Sequence, residues 1–109
     1  MFLKFSKQDE SILTKINSET YDISDIEIKH LVYLNESPLY VKFIKNNVAY
    51  AIQSASNTLF DIDLDFNKNE FSNHSIEISK KDDKTMISFL FNRVSKISVT
   101  CDDYVIEKL

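Results

Sequence analysis

Asp61, Asp63 and Asp65 recur at every second position, with Ile62 and Leu64 between them and Phe60 and Phe66 on either side. Carboxylates in this density suit three chemistries: calcium binding, acid–base catalysis, or electrostatic recognition of a basic partner. The calcium reading fails on spacing. An EF-hand loop counted from Asp61 needs glycine at its sixth position and glutamate at its twelfth, where this chain has Phe66 and Ser72. A carboxylate pair for glycoside or proton-transfer chemistry is assembled by the fold, and no spacing here favours one. Under a two-residue period the aspartates share one strand face and the large apolar residues share the other. Such a face reads first as a solvated surface that discourages sheet-to-sheet aggregation. Its sharper reading is an acidic recognition strip. Between Asn57 and Ser79 the acidic residues Asp61, Asp63, Asp65, Glu70 and Glu77 meet one basic residue, Lys68. Asp61, Asp63, Asp65 and Glu70 are therefore the candidate partner-binding residues.

The other reactive residues are few. The two histidines, His30 and His74, show no ligand spacing, and a metal site would need both of them plus carboxylates. His30 falls on an apolar strand face and is expected to be partly buried and hydrogen-bonded. His74 falls in a turn and is expected to be exposed. The single cysteine, Cys101, shares a face with Ile97 and Val99, so burial is its default. It excludes an internal disulfide and fits a reducing compartment. Glycine is absent from the whole chain, where ordinary usage would give about eight. Glycine-rich phosphate loops and the G-x-S-x-G nucleophile elbow are thus unavailable. No catalytic residue, metal ligand or cofactor is expected. Turns that need positive φ must use Asn or Asp.

The elements that position these residues are mostly strands. Phe2–Phe5 reads as a short first strand. Ser6, followed three residues later by Asp9, caps a helix over 7–17, with Ile12, Leu13 and Ile16 at helical spacing. Residues 25–34 allow two readings. Ile26, Ile28, His30, Val32 and Leu34 share a face under period two, whereas Ser24-x-x-Glu27 followed by Ile28, Leu31 and Val32 is helical. β-Branched content favours the strand. Pro38 breaks the chain. Leu39–Ile44 and Val48–Ile52 flank Lys45-Asn46-Asn47, a hairpin signal. Strands are further expected over Thr58–Phe66, Ser75–Ser79, Met86–Phe91, Lys96–Cys101 and around Tyr104–Ile106, with a polar turn at 80–84. The sum is a mainly β, α+β fold: an antiparallel sheet or half-barrel of about seven or eight strands with one N-terminal helix.

The chain has 109 residues, 43% apolar and 28% charged, with net charge −4. It reads as one domain with its own core. No apolar run approaches the roughly 18 residues that span a bilayer. The start meets a lysine at position four, so no cleaved leader is expected and a cytoplasmic location is. The acidic balance argues against direct phosphate binding and suits solubility or a basic partner. In size, charge and composition the whole chain resembles the immunity proteins of bacterial contact-dependent growth inhibition systems. No motif carries that resemblance, and no residue role transfers with it. It implies a cytoplasmic inhibitor, not an enzyme, that covers the active site of a cognate toxin domain, often a basic nuclease. A phage-type acidic inhibitor of a host nucleic acid enzyme and a β half-barrel carrying a small apolar ligand are the alternatives.

Overall fold

The computed structural model describes residues 11–32, 39–55, 59–63, 73–92 and 95–109. These form nine strands: β1 (Thr14–Lys15), β2 (Thr20–Val32), β3 (Leu39–Lys45), β4 (Val48–Ala55), β5 (Leu59–Asp63), β6 (His74–Lys81), β7 (Lys84–Leu90), β8 (Lys96–Cys101) and β9 (Asp103–Lys108). Eight of them make an open antiparallel sheet in the order β5-β8-β7-β6-β2-β3-β4-β9, and β1 pairs with β2 beside that path. No helix occurs among the described residues, so none there is long and apolar enough to cross a membrane.

The long strand β2 organises the sheet. Its first half pairs with β6, from Thr20 opposite Ser79 to Ile26 opposite His74. Its second half pairs with β3, from Glu27 opposite Ile44 to Val32 opposite Tyr40. Between the halves the register slips at 23–26, and Asp25 takes φ 55°. Bulges of this kind bend a strand and let it pass from one sheet region to another. Two long-range side-chain contacts brace the bend. Lys45 Nζ donates to the Ser24 carbonyl at 2.6 Å, and the Ile28 N–H donates to His74 Nδ1 at 3.0 Å.

Alternation builds the core. Leu39, Val41 and Phe43 of β3 point inward, as do Ile76 and Ile78 of β6 and Ile87 and Phe89 of β7. They join Ile23, Ile52, Val99 and Ile106 in one cluster drawn from both sides of the β2 bend. Each such fully buried side chain contributes about 1.5–3 kcal/mol relative to exposure. Phe43 and Tyr50 stack across β3 and β4 with ring centroids 5.6 Å apart.

The hairpins show how a glycine-free chain turns. Asn46 and Asn47 have φ of 53° and 64°, and Asp82 and Asp83 have φ of 52° and 66°. Two successive positive φ values match the twist of the flanking strands, and Asn and Asp bear them at the least cost after glycine. Both turns lie where the sequence places them.

Two expectations need correction. The helix over 7–17 is not found in its described part: Thr14 and Lys15 form β1 and pair with Asp22 and Tyr21. The edge of β2 opposite β6 has backbone groups that need partners, and strand pairing there overrides the helical spacing. Ile16, part of that spacing, is 54% exposed. Residues 7–10 lie outside the described residues, as do Phe2–Phe5, Pro38 and 64–66 of the expected acidic strand. The strand reading of 25–34 holds through Val32, but β2 begins earlier, at Thr20. Its shared face does not hold either, because a second register shift falls between Ile28 and His30. Ile28 and Leu31 pack on the core, while His30 is exposed.

Candidate acidic face

Strand register brings distant residues into line across the sheet. Thr14 of β1 stands opposite Asp22 of β2, and Asp22 opposite Glu77 of β6. Glu77 stands opposite Ser88 of β7, Ser88 opposite Ser98 of β8, and Ser98 opposite Asp61 of β5. This row crosses six strands at right angles to them. Asp22 and Asp61 are four strand spacings apart, or roughly 19 Å. A parallel row runs Ser75, Leu90, Lys96, Asp63. In the middle the side chains are short, and Ser88 Oγ and Ser98 Oγ lie 3.1 Å apart in a hydrogen bond.

The electrostatics are strained at the β2 end. Asp22 Oδ1 is buried and has no hydrogen-bond partner among the described residues. Burial pushes the Asp22 carboxyl above its ordinary value, Lys45 opposes that rise, and Asp25 adds to it. Lys45 attracts Asp22 at a distance, and its Nζ donates to the Ser24 carbonyl. Glu77, directly opposite Asp22, is exposed and adds a second negative charge. Like charges facing each other across a strand pair cost stability.

Of the candidate residues, Asp61 and Asp63 lie on β5, the end strand of the sheet path. Asp61 falls in the row and Asp63 opposite Lys96. Asp65 and Glu70 lie outside the described residues. Glu77, which extends the acidic stretch in sequence, joins the row by register. Asp22 was missed. The alternation Tyr21-Asp22-Ile23 carried a signal for it, since a strand that buries Ile23 turns Asp22 the other way.

The histidines exchange their expected environments. His74 is 4% exposed, at the start of β6. It accepts the Ile28 N–H and meets Phe91 edge-on, with centroids 5.2 Å apart. Asn73, at φ 62°, turns the chain just before it, so His74 takes the inward parity of Ile76 and Ile78. Cys101 is fully buried, as expected, and burial with Asp103 and Asp102 nearby pushes its thiol up to about 11. It is a protonated thiol at neutral pH, not a poised nucleophile. Among the described residues no group of three or more His, Cys, Asp or Glu is placed to hold a metal ion. Compared with known proteins, the chain matches no family model, no curated protein and no solved structure.

Proposed function

We propose that this protein is a binding inhibitor that docks its acidic face on a basic protein, as an immunity protein neutralises a toxin domain. The observation that carries the reading is the cross-strand row, which aligns Asp22, Glu77 and Asp61 from three separated segments. Acidic residues toward both ends of a row with serines between them suit a cationic surface that normally binds nucleic acid phosphates. The short centre lets that surface approach closely. An acidic field also speeds encounter with a basic partner, by roughly 10–1000-fold at low salt. The cytoplasm is the proposed site of action.

The test compares the wild-type chain with an Asp22→Asn, Glu77→Gln, Asp61→Asn variant as bait in lysate of the source organism. The expected result is one basic protein retained by the wild type, released more readily as salt rises, and lost by the variant. Equal retention by both baits would remove the acidic face from the mechanism. Retention of a host or phage-targeted polymerase or nuclease in place of a toxin would keep the face and change the biological setting.

A further inference from the structure

A second surface feature shares no residue with the acidic row. A cavity of about 310 Å³ opens where the β1–β2 turn, the end of β6 and the start of β9 meet. Its volume sits at the small end of ligand pockets, which run from roughly 300 to 1,000 Å³. Tyr21 and Tyr104 line it together with Leu13. Tyr104 is only 6% exposed, and Leu13 packs against the core. Tyr21, half-buried, therefore supplies most of the aromatic lining, and Tyr104 only an edge at its base.

The charged lining differs from the rest of the molecule. Lys15 and Lys80 both border the cavity against one carboxylate, Glu19. Both lysines are exposed, and neither forms an ion pair among the described residues. The lining itself therefore carries a formal charge of +1, while Asp82, Asp83 and Asp102 border the neighbouring pocket that Glu19 and Lys80 share. Ser18 adds a hydroxyl beside the two lysines.

The walls are held before any ligand arrives. The Ile16 N–H donates to the Thr20 carbonyl at 2.9 Å, and the Glu19 N–H donates to Asn17 Oδ1 at 2.9 Å. The Lys80 N–H donates to the Glu19 carbonyl at 3.0 Å, which ties this turn to β6. A site fixed in this way loses little entropy when it is filled.

We infer that this pocket binds a small free aryl anion, one aromatic ring bearing a single carboxylate or phosphate. The ring packs on Tyr21 and Tyr104, where offset or edge-on contact adds to burial. The anion lies between the Lys15 and Lys80 ammonium groups and the Ser18 hydroxyl, in charge-assisted contacts. Glu19 repels a second anionic group on the same ligand. The inference is independent of the acidic face and of the inhibitor reading.

The test is a titration of the full-length, ¹⁵N-labelled chain with phenyl phosphate, followed by NMR. The expected result is saturable shifts at Lys15, Ser18, Tyr21 and Lys80, with a Kd of about 1 mM or tighter. Inorganic phosphate, which lacks the ring, and phenol, which lacks the charge, should each bind at least about tenfold more weakly. A Lys15→Met, Lys80→Met double variant should lose at least about tenfold in affinity for phenyl phosphate with an unchanged melting temperature. Absence of saturable shifts would overturn the proposal, as would shifts confined to other residues. Binding of inorganic phosphate as tight as that of phenyl phosphate, or full affinity in the double variant, would overturn it too. The comparison of the three ligands needs no variant and stands if the double variant fails to fold.

Discussion

Replacing Asp22 with Asn should stabilise the fold and weaken partner binding. The carboxylate faces Glu77 across the β2–β6 ladder, and its Oδ1 is buried without a partner among the described residues. Opposed like charges on paired strands are destabilising. Desolvation adds to that cost, and attraction to Lys45 takes part of it back. Asn removes the charge but leaves one polar atom in the same place, so a net gain of about 0.5–1 kcal/mol is expected at neutral pH. For a domain of this size that gain raises the melting temperature by about 2–6 °C. The pH dependence has a definite sign. The folded-state pKa of Asp22 lies above its ordinary value of 3.8, so the folded state holds the proton more tightly than the unfolded chain. The wild type therefore gains stability as pH falls through the folded-state pKa, and the gain is complete below 3.8. The advantage of Asp22→Asn should be largest at neutral pH and shrink on acidification. Thermal unfolding followed by circular dichroism at neutral pH, and at the lowest pH where the chain stays folded, measures both. A neutral-pH melting temperature equal to or below wild type would refute the account of Asp22 as a destabilising charge.

Other perturbations test the scaffold. His74→Phe keeps an aromatic ring against Phe91 but leaves the Ile28 N–H without its acceptor, which should cost about 1–3 kcal/mol. Amide exchange at Ile28 should accelerate in that variant, and unchanged protection would show that the bend does not depend on this bond. Asn47→Ala should cost about 1–2 kcal/mol because alanine resists φ near 64°, whereas Asn47→Gly should be neutral or stabilising. Denaturant midpoints for the pair would expose the opposite ordering. Cys101, buried and with its thiol raised to about 11, should resist disulfide-exchange reagents at neutral pH until the chain unfolds. Rapid labelling of the native protein would contradict that burial.

Much of the architecture is local in origin and was legible as such. Period-two alternation marks β3, β4, β6, β7 and β8, since a strand with one buried face must repeat every second residue. The lack of glycine directs attention to Asn46-Asn47 for a turn of positive φ, and Asp82-Asp83 follows the same rule within the expected polar turn. The burial of Cys101 follows from its place beside Ile97 and Val99.

What the sequence could not decide depends on which strand lies beside which. Helical spacing at Ile12, Leu13 and Ile16 is a weak preference, and the unpaired edge of β2 outweighs it at Thr14 and Lys15. A bulge adds one residue to one strand, and nothing in the local pattern around Ile28 and His30 reveals it, yet it exchanges the faces of all that follow. For that reason His30 is exposed, whereas His74 is buried by the parity of β6 that the turn at Asn73 sets. The acidic face depends most on tertiary structure. Asp61 stands out in the sequence as part of an alternating run, but Asp22 and Glu77 join it only through four successive strand registers. Alternation along a strand is set by bonds within the chain. Alignment across strands is set by packing of the shared core, and it becomes visible only when the whole sheet is assembled.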